Sequence, residues 1–292
     1  MNIAKWVVSG TFLGCATGLG LLYWGQRSLL YPSNIPEGSR AHVDTPDAWK
    51  MPFEEVRLKT PDGETIHAYA ITQRRSSESP TILYCHANAG NMGHRLPIAL
   101  KFYERGHNFV MFSYRGYGRS TGKPSEKGLN IDAQTVLDYI LQHPNLSNTK
   151  IVVYGPSLGG AVGVSLVSKN QSKIHALLLE NTFTSVPDMV PNVLPVPKYI
   201  APFLTSMCRD IWPTEVVIQR IPGIPILFLA GSQDTLVKPP QMKRVYECCR
   251  APKKWVEFPM GDHNTTVVQP GYFDAIFAFL KDNKIMINGS KL

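Results

Sequence analysis

From Phe53 to Leu280 short apolar runs alternate with segments of helical spacing, and no other feature of this sequence narrows its possible folds so far. Thr81–Cys85, Asn108–Tyr114, Ile151–Tyr154, Ala176–Leu179, Ile226–Ala230 and Trp255–Phe258 have the length and content of strands. Between them, Leu96–Tyr103, Leu129–Leu141, Gly160–Val167, Pro240–Cys248 and Tyr272–Leu280 repeat apolar residues at helical spacing. Strand and helix in turn predict a mostly parallel, doubly wound α/β sheet with helices on both faces. Thr60-Pro61-Asp62-Gly63 lies between two further strand-like runs, so an antiparallel hairpin is expected to open a sheet of eight strands.

The chain has 292 residues, 43% hydrophobic and 18% charged, which supports one sizeable core and excludes disordered, collagen-like and coiled-coil classes. A net charge of +8 is spread without a block of five or six basic residues, so no nucleic-acid partner is expected. The five cysteines include no C-x-x-C pair and leave one over, which indicates neither structural zinc nor a disulfide framework. No metal and no organic cofactor are expected.

Residues 6–24 carry no charge and are bounded by Lys5 and Arg27, with Trp6, Tyr23 and Trp24 at the two ends. At 1.5 Å per residue this nearly crosses a hydrocarbon core, so a transmembrane helix and contact with membrane lipids are expected over residues 6–24. Gly10, Gly14 and Gly18 recur every fourth residue, a spacing that would allow self-association. The expected organisation is an anchor over 1–30, a Pro-rich linker over 31–52, one domain over 53–284 and a tail over 285–292. Within the domain, the proline-dense, apolar interval 185–220 reads as a cap over the crevice at the strand ends. The chain ends Ser290-Lys291-Leu292, the peroxisomal import tripeptide, as an alternative address to the secretory pathway.

Two segments match G-x-S-x-G, the nucleophile elbow in which a serine tops a strained strand-to-helix turn. At Gly155-Pro156-Ser157-Leu158-Gly159 the strand Ile151–Tyr154 runs directly into the motif, and a helix with small residues follows. At Gly118-Arg119-Ser120-Thr121-Gly122 three residues separate motif from strand, and Lys123-Pro124 follows, so Ser157 is the candidate and Ser120 the alternative. A serine nucleophile needs a histidine base and a carboxylate to orient it, in this architecture downstream and in the order Ser, acid, His. Gly231-Ser232-Gln233-Asp234 puts an acid behind one strand, and Gly261-Asp262-His263-Asn264 puts a histidine behind the next. Asp234 and His263 are therefore the expected partners, with Asp262 the alternative acid. Oxyanion donors are expected from the Leu158 amide and from the loop His86-Ala87-Asn88-Ala89-Gly90, in which His86 is read as structural.

The motifs His86–Arg95, Tyr114-Arg115-Gly116-Tyr117-Gly118, Ser157–Ala161, Glu180-Asn181-Thr182-Phe183 and Gly261–Asn264 give residues 53–281 a sequence that resembles the α/β-hydrolase superfamily and, within it, the bud-emergence-protein branch. The resemblance implies the α/β-hydrolase fold, a triad of Ser157, Asp234 and His263, and an oxyanion hole from Asn88 or Ala87 with Leu158. It also implies a single-pass membrane protein with the hydrolase domain luminal. The resulting expectation is a membrane-anchored serine hydrolase acting on an apolar acyl ester or thioester. The alternatives are a catalytically idle, membrane-tethered interaction module in cell polarity and a serine peptidase.

Overall fold

A computed structural model describes residues 23–193 and 199–286 together with positions 20 and 197. Its centre is an eight-stranded mixed sheet in the order β1-β2-β4-β3-β5-β6-β7-β8. The strands are β1 (Phe53–Lys59), β2 (Thr65–Ile71), β3 (Thr81–Tyr84), β4 (Asn108–Ser113), β5 (Ile151–Pro156), β6 (Ala176–Glu180), β7 (Ile226–Gly231) and β8 (Lys253–Phe258). β1 pairs with β2, and β2 with β4, antiparallel; every later pairing is parallel. The first pairing is closed by the turn at Thr60–Glu64, where Thr60 exchanges backbone hydrogen bonds with Glu64 and Gly63 and Gly63 takes φ +94°.

β3 to β7 are apolar and buried along almost their whole length, as strands covered on both faces must be. Alternate residues serve opposite layers. Leu83, Val153 and Leu177 face one cluster, under α3 (Glu126–Gln142), α4 (Leu158–Lys169), α7 (Thr214–Ile218) and α8 (Pro239–Cys248). Ile82, Tyr84, Val152 and Tyr154 face the other, under α2 (Leu96–Glu104) and α9 (Tyr272–Asp282). Each fully buried Leu, Ile or Phe contributes roughly 1.5–3 kcal/mol.

The proline-dense interval forms short pieces: α5 (Val186–Val193), interrupted by Pro191, α6 (Ala201–Ser206), with Pro202 in its first turn, and α7. The segment 31–52, expected as a linker, instead straps the domain. Tyr31 and Met51 are buried, Trp212 Nε1 donates to the Tyr31 hydroxyl at 3.0 Å, and Asn91 donates to the carbonyls of Ser39 and His42. Its polar composition hides these anchors, because the partners lie far away in sequence.

Among the described residues no helix is long and apolar enough to cross a membrane. On that finding the expected transmembrane helix over 6–24 is withdrawn. With it go the membrane-anchored enzyme, lipid contact through residues 6–24, and the single-pass, luminal localisation. Gly10, Gly14 and Gly18, on which self-association was expected, lie outside the described residues, as do Ser290, Lys291 and Leu292. The described residues at and after the end of that stretch are packed on the protein. Residues 23–30 form a helix, α1, docked on the folded domain. Arg27 reaches Asp210 with two hydrogen bonds at 2.9 and 3.1 Å, and Gln26 accepts from the Arg209 amide and donates to the Met207 carbonyl. The Arg209 guanidinium lies over the rings of Tyr23 and Trp24.

Candidate active site

β5 delivers its chain into a turn so tight that Ser157 adopts φ +52°, ψ −118°, before α4 begins at Leu158. The flanking glycines are steric necessities. A Cβ at Gly155 would stand 2.1 Å from the Gly159 carbonyl oxygen, and one at Gly159 would stand 1.9 Å from that of Cys85. The strained backbone is held by the Ser157 amide donating to the Glu180 carbonyl at 2.7 Å and by the Thr182 hydroxyl donating to the Ser157 carbonyl at 2.9 Å. As the first residue of α4, Leu158 has an amide with no intrahelical acceptor, at the positive end of the helix dipole.

The turn after β7 carries Asp234, whose Oδ1 accepts the Leu236 and Val237 amides at 2.9 and 2.8 Å. Its Oδ2 lies 2.7 Å from Nδ1 of His263, which follows β8. The other ring nitrogen, Nε2, lies 3.0 Å from Ser157 Oγ. An ionised carboxylate only accepts, so Nδ1 carries the proton and Nε2 accepts from the serine hydroxyl. Asp262, the alternative acid, is exposed and uses Oδ1 to accept the Asn264 and Thr265 amides, which shapes the turn beneath His263. Ser120, the alternative serine, is buried between the Ser113 carbonyl, to which it donates, and the His67 amide, from which it accepts. Ser120 therefore locks β2 to the loop after β4.

The loop after β3 is held from several sides. His86 is buried, donates from Nδ1 to the Ala87 carbonyl and packs at a tilt against the Tyr114 ring; burial pushes its pKa down to about 3, so it is neutral. The Tyr117 hydroxyl donates to the Asn88 carbonyl, and Asn88 Nδ2 donates to the Leu30 carbonyl at 3.3 Å. Asn88, Ser157 and Leu158 share the lining of one cleft of about 370 Å³, whose remaining walls are mostly apolar: Leu29 and Leu30 of α1, Phe183, and Met189 of α5. A larger open groove of about 680 Å³, between Glu54 on β1 and Tyr139 and His143 at the end of α3, holds none of these residues. Among the described residues no cluster of three or more His, Cys, Asp or Glu side chains is arranged to hold a metal.

Three features escape the sequence reading. Asn181, at φ +43°, accepts the Gly231 amide at 2.8 Å and donates to Thr266 Oγ1 at 3.0 Å and the Asp262 carbonyl at 3.2 Å. It thereby ties together the loops that carry Asp234 and His263. Besides its place in the motif Glu180-Asn181-Thr182-Phe183, its sequence signal is an Asn directly after a strand, where positive φ is tolerated. Behind Ser157, the fully buried Glu180 carboxyl contacts the hydroxyls of Tyr154 and Tyr272 at 2.8 and 2.6 Å, and these hydroxyls lie 2.6 Å from each other. Both phenols donate to the same carboxyl oxygen of Glu180, and burial raises the Glu180 pKa above its ordinary value. The third feature is the presence of Gln26, Arg27, Leu29 and Leu30 in the cleft wall.

A family model described as the alpha/beta hydrolase fold matches residues 80–206. An esterase of Pyrococcus furiosus shares the fold with a TM-score of 0.69 at 18% identity, over 84% of this chain and 95% of that one. Fold and site together define a serine hydrolase of the α/β-hydrolase class. The protein bem46 of Schizosaccharomyces pombe is 48% identical over 287 residues, 97% of this chain and 95% of that protein. The uncharacterized membrane protein YNL320W of Saccharomyces cerevisiae is 40% identical, over 94% of this chain and 97% of its own. This chain belongs to the bem46 family of α/β-hydrolases.

Proposed function

We propose that the enzyme hydrolyses acyl esters or thioesters through a covalent acyl-enzyme on Ser157. The observation that carries this reading is the unbroken contact chain from Ser157 Oγ to His263 Nε2 at 3.0 Å and from His263 Nδ1 to Asp234 at 2.7 Å. Ser157 Oγ attacks the acyl carbonyl carbon while His263 Nε2 takes its proton, and Asp234 holds the imidazole in the required tautomer and stabilises its charged form. The tetrahedral oxyanion sits against the amides of Leu158 and of the loop residue Asn88, where each donor is worth roughly 10²–10³ in rate. On collapse His263 gives the proton to the leaving oxygen or sulfur, and the acyl group stays on Ser157. Water then enters, gives a proton to His263 and repeats the attack, which releases the acid and restores the serine.

The apolar cleft beside Ser157 supports an acyl chain as the recognised part of the substrate. Fluorophosphonate labelling of the full chain tests the reading. Label is expected on the wild type and on Ser120→Ala, and none on Ser157→Ala. A folded wild-type protein that takes no label, or a Ser157→Ala variant that still takes it, would refute the assignment.

A further inference from the structure

α1 lies outside the sheet and helices that make up the hydrolase core, yet its side chains stand in the same cleft as Ser157. Three sets of contacts fix it there. On the cap side, the Arg27–Asp210 fork and the paired hydrogen bonds of Gln26 with residues 207 and 209 hold one end. At the other end, Trp212 donates to the hydroxyl of Tyr31, immediately after the helix. On the core side, Asn88 donates to the Leu30 carbonyl, and the Gly90 amide donates to the Ile35 carbonyl at 2.6 Å. The loop expected to supply an oxyanion donor is therefore buttressed twice by the segment that begins with α1.

The charge in this wall is already matched. Asp210 is buried, and both of its oxygens are engaged by Arg27, with the Glu126 amide adding a third contact. A bidentate guanidinium–carboxylate pair of this kind presents no net charge to a ligand. Leu29 and Leu30 lie beside it and, with Val186, Met189 and Val190 of α5, leave the cleft an apolar bore.

We propose that α1 is the specificity wall of the enzyme: Leu29 and Leu30 select an uncharged acyl tail and set the length that can be seated while its carbonyl lies at Ser157. The proposal rests on the acyl-hydrolase reading above. It makes Leu29 and Leu30 specificity-determining residues for that reaction, whereas Arg27 and Gln26 position the helix that carries them.

The test uses the full chain and p-nitrophenyl esters from acetate to laurate, with kcat and KM measured at each length. Leu29 is 65% exposed, so Leu29→Trp narrows the cleft without disturbing the core. It is expected to lower the laurate-to-acetate ratio of kcat/KM by about tenfold, mainly through KM, since one to a few methylenes of misfit suffice for that discrimination. Leu30→Ala is expected to move the ratio the other way. In the wild type, a tail ending in a carboxylate is expected to be turned over at least about tenfold less well than the methyl-ended chain of equal length, because an unpaired charge is expensive to desolvate. Thermal melting verifies that each variant is folded. Ratios that stay constant, or fall in parallel at every length, overturn the specificity wall while leaving the hydrolase reading intact. A wild type that neither cleaves any ester nor takes fluorophosphonate label overturns both.

Discussion

The side-chain carbonyl of Asn181 accepts the amide of Gly231 at 2.8 Å, so a residue at the end of β6 sets the start of the loop that carries Asp234. The same side chain donates to Thr266 and to the Asp262 carbonyl on the loop of His263. Asn181→Gly keeps the positive φ unstrained but removes all three bonds, and Asn181→Ala adds a backbone cost of about 1 kcal/mol. Both variants are expected to lose about 10- to 100-fold in kcat with KM within about twofold, the signature of misplaced groups in an intact binding cleft. Urea unfolding should show a loss of roughly 1–3 kcal/mol for the unpaired Gly231 amide. An unchanged kcat alongside that loss would reduce Asn181 to a structural residue.

Ser157 carries its backbone strain whatever its side chain does. Replacement by glycine relieves the φ of +52°, whereas replacement by alanine does not. Ser157→Gly is therefore expected to exceed Ser157→Ala in stability by about 1 kcal/mol, the strain released less the extra chain entropy of glycine. Denaturant midpoints of the two inactive proteins decide it, and equal midpoints would mean that the elbow stores no strain.

Acid should unfold the protein through its buried histidines. Burial lowers the pKa of His86 to about 3 and that of His107 to about 4 from an ordinary 6.5. Below pH 6.5 the unfolded chain binds protons that the folded chain refuses, so stability falls as pH falls, by about 1.4 kcal/mol per unit for each histidine, down to the folded values. His107→Leu is expected to make that slope shallower between pH 6 and 4.5, by up to about 1.4 kcal/mol per unit. Melting curves across this range measure it, and a slope identical to that of the wild type would contradict the account.

Glu180 works in the opposite sense. Its folded pKa is raised by burial, so above 4.5 the unfolded chain releases a proton that the folded chain keeps, and stability is lost as pH rises toward the folded value. Glu180→Gln retains an acceptor for Tyr154 and Tyr272 and cannot ionise. Its stability relative to wild type should therefore improve from pH 5 to pH 8 in urea titrations. A relative stability that worsens with pH would mean that the native carboxyl is ionised.

The strand ends are legible in the sequence because glycine marks them. Gly155, Gly231 and Gly261 each close an apolar run, and Ser157, Asp234 and His263 stand two or three residues beyond, where the fold brings them within hydrogen-bond distance. The alternation of Ile82, Leu83 and Tyr84 between two core layers is likewise a matter of period two. The N-terminal segment resists such reading. Its apolar run has the length of a membrane span and makes Arg27 look like a boundary charge, while the partner that explains Arg27, Asp210, sits in a proline-dense insertion without periodicity. Asn181 is hidden for a related reason, since turn chemistry accounts for an Asn after a strand just as well as a clamp between two distant loops.

The contacts that hold α1 and Tyr31 to the cap side join residues 181–183 positions apart. During synthesis at about 5–20 residues per second, α1 therefore waits roughly 10–40 s for the segment that receives it. Until residues 207–212 are made, Leu29 and Leu30 have no cap to face and Asp210 has not arrived to match Arg27. His263 is translated later still. On the proposed mechanism the nascent chain consequently has a nucleophile elbow well before it has either a base or a closed cleft, and Ser157 stays chemically silent until almost the whole chain has been made.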